Sequence, residues 1–237
     1  MTVTDRFAGR RWRARLGRLR PYLLVAAALA VIGAGAWVTL ETSVLGAHSV
    51  QVRGATTVSP SVVRARADVV EGRPLARLDV EAVRERVEQI PQVATVDVSR
   101  RWPRSVVVEV TERTPVARLS GDDVRLLDRD GVVYPPAGKT PRRLPRVVLA
   151  SGSGPRAEAL KEAADAVRAM DRDLARRVRE VRVSSRDGIT LELRDGAEVA
   201  WGSADHAGLK AQVLSALLPQ KASAYDVRAP ERPTIRP

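Results

Sequence analysis

The chain has 237 residues and a formal net charge of +12, contains no cysteine, and is 44% hydrophobic. This composition is that of a folded protein rather than a disordered one, and the lack of cysteine excludes disulfides, zinc–thiolate sites and thiol nucleophiles. The two histidines, His48 and His206, lie far apart in the sequence, so we expect no metal site and no cofactor.

Half of the excess positive charge lies in a short N-terminal tail. Residues 1–20 contain seven arginines and one aspartate, and residues 21–40 contain no charged residue. The rest of the chain therefore carries a net charge of +6 on a well-mixed surface, which is unremarkable for its length. This distribution argues against a nucleic-acid-binding protein.

The uncharged segment Leu23–Leu40 predicts a transmembrane helix. Eighteen residues rising 1.5 Å each cover roughly 27 Å, close to the hydrocarbon thickness of a bilayer. Because the arginines precede the segment and only Glu41 follows it closely, the positive-inside rule places the N-terminus in the cytoplasm. We predict a cytoplasmic tail, a transmembrane helix and a linker at 1–20, 21–40 and 41–48.

A cleaved signal peptide is the main alternative for this segment, and a buried helix of a soluble protein is the other. Ala34-Gly35-Ala36 offers small residues suited to a cleavage site. Cleavage there would leave an apolar region of signal-peptide length, whereas the apolar run continues to Leu40 and favours an uncleaved anchor.

Residues 49–113 show the pattern strand, helix, helix, strand, strand. Val50–Arg53 alternates as a strand, and Ser59-Pro60 marks a first helix whose apolar stripe is Val62, Val63 and Ala67. Asp79 is suited to cap a second helix, and two strands follow at Val93–Arg100 and around Val106–Val110.

Residues 114–228 predict a β-rich domain with two helices. Asp130-Gly131 and Asp195-Gly196 each indicate a hairpin. The helices are predicted at about 155–177 and 204–218, and a final strand at Tyr225–Arg228. We expect the proline-rich tail 229–237 to be frayed and to end the sheet without covering it.

No arrangement of residues indicates catalysis. The loop Ser151–Gly154 lacks the Gly-Lys-Ser/Thr pattern of a phosphate cradle, and Asp122-Asp123 is typical of a turn. Only the two histidines are available to activate a serine. We therefore predict a protein that binds other proteins and is not an enzyme.

Several short motifs resemble one bacterial family. They are the turn Arg101-Trp102-Pro103 between the last two strands of 49–113, the ending Glu109–Arg113, the stretch LLDRDGVVYPP, the sequence AWG before a lysine-bearing helix, and AYDVRAP. In this order they resemble a POTRA domain followed by the second domain of the FtsQ/DivIB family of cell division proteins. The predicted fold class is thus α+β: one N-terminal transmembrane helix, a POTRA-like β-α-α-β-β domain, and a β-rich domain with two helices.

The resemblance implies a non-catalytic scaffold at the division septum that recruits and regulates partners of septal wall synthesis. It implies FtsB as a partner near the C-terminal strand, with FtsL in the same complex. Carried to this chain, the expected contact residues are Tyr225, Asp226, Val227 and Arg228, with Trp201 and Gly202 on a neighbouring strand. For other septal partners, the expected residues are Val50, Val52 and Arg53.

Two other functions fit parts of the pattern. POTRA-like units also serve membrane-anchored chaperones and transport modules, although those chains usually carry several units or a C-terminal barrel. An anchored hydrolase would have to use residues such as Ser153 and His206, for which no supporting pattern exists.

Overall fold

The structure is a computed structural model in which contacts divide the chain into two compact units. It describes residues 22–35, 37, 46–121, 123–138, 140–141, 143–151 and 153–237. The first unit comprises the described residues of 1–53, 60–87 and 96–109, and the second comprises those of 54–59, 88–95 and 110–237.

The N-terminal predictions fall largely outside the described residues. The basic tail lies wholly outside them, and the predicted span Leu23–Leu40 and linker 41–48 lie partly outside, at 36 and 38–45. Residues 22–35 are helical (α1). Within the described residues, no helix combines the length and the apolarity needed to cross a membrane.

Residues 49–113 confirm the predicted order of elements. The elements are β1 (Ser49–Arg53), α2 (Pro60–Ala67), α3 (Val80–Glu88), β2 (Val93–Arg101) and β3 (Ser105–Glu112). They form a small sheet of order β1-β3-β2, in which β1 runs parallel to β3 with Ser49 opposite Ser105. Because a parallel pair needs a long crossover, the helices lie in the connection that leads back to the sheet.

Local sequence signals account for these helices. Pro60 is the first residue of α2, where a missing N–H costs nothing. Asp79 caps α3, because its Oδ1 accepts hydrogen bonds from the backbone N–H groups of Glu81 and Ala82, both at 3.1 Å. Of the expected apolar stripe, Val63 and Ala67 are buried as predicted, whereas the expectation for Val62 was wrong because its side chain is exposed.

The second half of the chain forms a large sheet. Its strands are β4 (Pro115–Leu119), β5 (Arg125–Asp128), β6 (Val133–Tyr134), β7 (Arg146–Leu149), β8 (Val178–Val183), β9 (Ile189–Leu193), β10 (Glu198–Gly202), β11 (Ala224–Asp226) and β12 (Thr234–Arg236). Within the described residues the spatial order is β12-β11-β10-β9-β8-β7-β4-β5-β6. Both predicted hairpins are confirmed, with Gly131 at φ 82° and Gly196 at φ 96° in their turns.

The helices of this half differ from the prediction. The expected helix 155–177 is two helices, α4 (Arg156–Arg168) and α5 (Arg172–Arg177), so that with α6 (Ala207–Leu217) the described part of this half contains three α-helices and not two. The break has a local cause. The Asp171 side chain accepts hydrogen bonds from the N–H groups of Asp173 and Leu174, at 2.9 and 2.7 Å, and so begins a new helix.

The core of the large sheet follows from its register. One cross-strand row is apolar throughout and is called here the apolar row: Val147, Val181, Leu191, Val199, Tyr225 and Ile235. Residues of this row pack in one hydrophobic cluster with buried residues of α4 and α6, such as Ala163 and Leu214. The helices therefore cover one face of the sheet.

The expectation for the C-terminal tail was wrong. Thr234–Arg236 forms β12, which pairs antiparallel with β11 and places Ile235 opposite Tyr225. The proline-rich segment thus covers β11 and does not leave it as the outermost strand. Pro230 is buried and Arg232 N–H donates to Ala229 O at 2.9 Å, so the prolines shape the connection that returns the chain to the sheet.

Within the second unit, Glu112 anchors the segment 54–59. Its Oε1 accepts hydrogen bonds from the backbone N–H groups of Thr56, Thr57 and Val58, each at 2.8 Å, and its Oε2 accepts the Thr56 hydroxyl at 2.9 Å. Burial opposes ionisation of this carboxyl group, but the hydrogen bonds from Val58, Thr56 and Thr57 outweigh it and lower the pKa of Glu112 to about 2.

A buried ion pair lies nearby in the same unit. The Asp128 side chain is 1% exposed. Its carboxylate accepts hydrogen bonds from Arg113 Nη1 at 2.6 Å and from the backbone N–H groups of Asp130 and Val132. The Tyr134 hydroxyl donates to Arg113 O at 3.3 Å, and burial, reinforced by the Asp128 charge, raises the pKa of Tyr134 to about 12. The pair holds the end of β3 to the β5–β6 hairpin.

We predict that Glu112→Gln lowers the free energy of unfolding by about 1–2 kcal/mol at pH 7, because the amide loses the negative charge that strengthens these hydrogen bonds. The loss is no larger because water around the partly exposed carboxylate screens its charge. The pKa of Glu112 in the folded protein lies below its ordinary value of 4.5, so this stability is present above pH 4.5 and is lost as pH falls toward 2. Urea denaturation of the full-length chain in detergent at several pH values measures the difference. A difference between the two proteins that stays constant from pH 7 to pH 2 would contradict the prediction.

We predict that Arg113→Leu lowers the free energy of unfolding by about 3 kcal/mol, because it leaves the Asp128 carboxylate buried without its cation. The matched control is Arg129→Leu, which removes an exposed arginine beside Asp128 and should change stability by less than about 0.5 kcal/mol. The measurement is the urea midpoint at pH 7. Equal losses in the two variants would show that the ion pair does not stabilise the fold.

Candidate partner-binding site

The predicted neighbours β10 and β11 do lie side by side. They pair in parallel, with Val199 opposite Tyr225 and Ala200 opposite Asp226, and Val227 N–H donates to Ala200 O at 3.0 Å. Helix α6 supplies the crossover between them. The expectation that Trp201 and Gly202 belong to the adjacent strand is therefore confirmed.

Three of the expected contact residues have buried side chains. Trp201, Tyr225 and Val227 all belong to the hydrophobic core. The Tyr225 hydroxyl accepts a hydrogen bond from Ala222 N–H at 3.0 Å, whereas Trp201 Nε1 has no hydrogen-bond partner among the described residues. These side chains stabilise the sheet, and a partner can reach this part of the chain only through other groups.

Asp226 and Arg228 are accessible and bind each other. Arg228 N–H donates to Asp226 Oδ1 at 3.0 Å, and Arg228 Nη2 donates to Oδ2 at 2.5 Å. The Arg228 side chain thereby lowers the pKa of Asp226, against the effect of burial. Gly202 has φ 79°, and a Cβ there would come within 3.0 Å of Arg228 Cγ, so glycine leaves room for this arginine.

Strand β12 forms one edge of the large sheet. No other strand of the described chain pairs with its outer side, and β6 forms the opposite edge. Ser223 secures β12, because its N–H and Oγ donate to Arg236 O at 2.8 and 3.2 Å and its Oγ also donates to Pro237 O at 2.8 Å. An edge strand presents main-chain groups to which a further strand can bind.

The apolar row ends at this edge. Its members on the inner strands are buried, but Ile235 on β12 is 39% exposed. The row beside it on the other face of the sheet joins Thr190, Ala200, Asp226 and Thr234 across four strands. These residues line a shallow depression of ≈ 500 Å³ together with Glu198, Arg228 and Arg236. The edge thus offers one apolar side chain beside a polar, charged surface.

The residues expected to bind other septal partners lie on β1. This strand is an edge of the small sheet, where Val50 and Val52 are half-buried and Arg53 is exposed. They belong to the first unit, whereas the β12 edge belongs to the second.

Sequence reasoning missed the residues that form the β12 edge, Thr234, Ile235 and Arg236. The only signal was one isoleucine between two polar residues, which is too short to show a period. Among the described residues, no group of three or more His, Cys, Asp or Glu side chains is placed to hold a metal ion.

Comparison with known proteins extends the resemblance. Residues 46–113 match the family model for the FtsQ-type POTRA domain, and residues 117–229 match the model for the C-terminal part of cell division protein FtsQ/DivIB. Cell division protein FtsQ of Streptomyces collinus is 38% identical over 232 residues, covering 91% of this chain and 88% of that protein. FtsQ of Streptomyces venezuelae is 35% identical, covering 92% and 84%, and FtsQ of Mycobacterium tuberculosis is 34% identical, covering 90% and 68%. The chain therefore belongs to the FtsQ/DivIB family of bacterial cell division proteins.

Proposed function

We propose that this chain is a non-catalytic, single-pass membrane scaffold that recruits and regulates partners of septal wall synthesis. Its N-terminal tail is cytoplasmic, and its POTRA and FtsQ-type domains are extracytoplasmic at the division septum. The partners are the division proteins FtsB and FtsL of the same cell, as family membership suggests. The uncharged stretch after seven arginines supports the anchoring.

The observation that carries the binding role is the exposed end of the apolar row on β12. A partner strand beside β12 would gain main-chain hydrogen bonds along the edge and could place an apolar side chain next to Ile235. The row would then continue from the core into the partner. The residues with buried side chains, Trp201, Tyr225 and Val227, hold the strands that support this edge.

The charged surface beside the edge supplies selectivity. Arg236 and the Asp226–Arg228 pair flank the row, so the partner segment should carry polar or acidic residues at the positions alternating with its apolar one. A partner strand with apolar residues on both faces would offer no counter-charge to Arg236.

We predict that Ile235→Lys weakens capture of the FtsB-like protein at least tenfold, because a charged side chain replaces the apolar end of the row. The matched control is Val132→Lys, since Val132 is also 39% exposed but lies in the β5–β6 hairpin at the opposite edge of the sheet. Co-purification from membranes, with both tagged variants present at equal amounts, measures the effect. If both variants retain the partner equally, β12 is not the binding edge.

We also predict that a phosphatase that is active only outside the cytoplasm is active when fused after Pro237. Replacing the seven tail arginines with glutamine should reduce this activity severalfold, because the charge asymmetry that orients the helix is lost. The control replaces seven arginines that follow residue 153 and should leave the fused enzyme active. An inactive fusion to the unchanged chain would rule out the proposed topology.

A further inference from the structure

In the first unit, the backbone of Ala47 and His48 is held between two turns that carry exposed apolar side chains. On one side, Ala47 N–H donates to Arg73 O at 2.9 Å and Gly72 N–H donates to Ala47 O at 2.8 Å. On the other side, His48 N–H donates to Arg104 O at 2.8 Å. We name these turns the Val70 loop (residues 70–73) and the hairpin tip (residues 101–104, between β2 and β3).

Each turn exposes an apolar side chain; Trp102 follows Arg101, whereas Val70 is followed by the exposed Glu71 and, two residues later, by the exposed Arg73. Trp102 in the hairpin tip is 51% exposed, and Val70 in its loop is 61% exposed. All four residues of the hairpin tip are exposed, and residues 98–106 contain three arginines and no acidic residue. A single exposed apolar residue is ordinary in a soluble protein. Here, two exposed apolar side chains, Trp102 and Val70, lie in the turns on either side of the segment Ala47–His48, and Trp102 is next to an arginine. This arrangement is more specific than a single exposed residue.

Covalent geometry limits the distance between this region and the proposed anchor. His48 follows Leu40 by eight residues, which can span at most about 29 Å when fully extended. The hydrogen bond from His48 to Arg104 therefore keeps the backbone of the hairpin tip within about that distance of the end of the proposed transmembrane helix. Tryptophan favours the interface between water and lipid, and arginine is attracted to anionic headgroups.

We propose that the hairpin tip, together with the Val70 loop, is a membrane-contact surface for anionic lipid. This proposal rests on the proposed membrane anchor. Trp102 inserts at the level of the headgroups, and the Arg101 guanidinium binds their phosphate groups. Arg100 has a structural role instead, since its Nε and Nη2 donate to the carbonyl oxygens of Leu75 and Leu78 at 2.9 and 2.6 Å.

The absence of cysteine allows a direct test in the full-length chain. Ser99→Cys places a fluorescent label on β2 next to the hairpin tip, and Val124→Cys places the same label on an exposed residue of the second unit. Each labelled chain is reconstituted into vesicles of phosphatidylglycerol and phosphatidylcholine, or of phosphatidylcholine alone, that contain a headgroup-level quencher. We expect at least twofold greater quenching at Ser99 than at Val124 in the anionic vesicles, and a smaller difference in the neutral ones.

A second arm identifies the side chains. Trp102→Ser with Arg101→Gln should reduce quenching at Ser99 to the level seen at Val124. Val132→Ser with Arg129→Gln, which makes the same kinds of change in another exposed hairpin, should leave it unchanged.

The outcomes separate the two proposals. If the labelled chain floats with vesicles but the two labels are quenched equally, the membrane contact is wrong and the anchor stands. If the chain does not float with vesicles, both proposals fail. If the labels are quenched equally and the Trp102 variant instead loses a co-purifying division protein, the hairpin tip is a protein contact and the lipid proposal is overturned.

Discussion

The register of the large sheet is the constraint from which its other features follow. The apolar row joins six strands in one line, and a shift of one residue in β9 would move Thr190 or Glu192 into the core. Between β7 and β8 the chain passes through α4 and α5, and between β10 and β11 through α6, because these pairs are parallel and need crossovers. The same crossovers supply the helices that bury the row.

This register also separates buried residues from accessible residues at the C-terminal edge. Tyr225 is a member of the row, and Trp201 and Val227 are buried with it, although all three belong to motifs that resemble the family. Asp226 lies on the opposite face because side chains alternate along a strand. A family motif can therefore mark a binding region while most of its side chains serve the core that holds the region in place.

Local signals predicted the elements that depend on local chemistry. Asp79 and the two Asp-Gly turns act within a few residues of themselves, and each was placed correctly from the sequence. Strand β8 was missed, because Glu180 lies at a buried position of a strand whose alternation is broken by a bulge. Its carboxylate is paired with Arg146 and Arg182, at 2.9 and 2.8 Å, and Arg146 comes from a strand distant in the sequence.

Strand β12 at the C-terminal edge was also missed because it depends on a neighbouring strand and not on a local sequence signal. Three residues between prolines carry no periodic pattern, and their strand exists because β11 offers an edge that they can pair with. The preceding prolines suggested a frayed end, yet proline is compatible with the connection before an edge strand. Such a strand is defined by its neighbour, so sequence reasoning could find the region of the site but not its outermost residues.

The form of the β12 edge bears on how selective it can be. An exposed edge strand is prone to indiscriminate pairing, and natural proteins limit this with short strands, prolines and charges. Strand β12 has all three features: it is three residues long, Pro233 and Pro237 flank it, and Arg236 lies within it. Main-chain hydrogen bonds to so short a strand give little affinity by themselves. At the proposed site, a stable complex would therefore also have to use Ile235 and the charged surface around Asp226 and Arg228, so that recognition would depend on the partner's sequence and not only on its ability to form a strand.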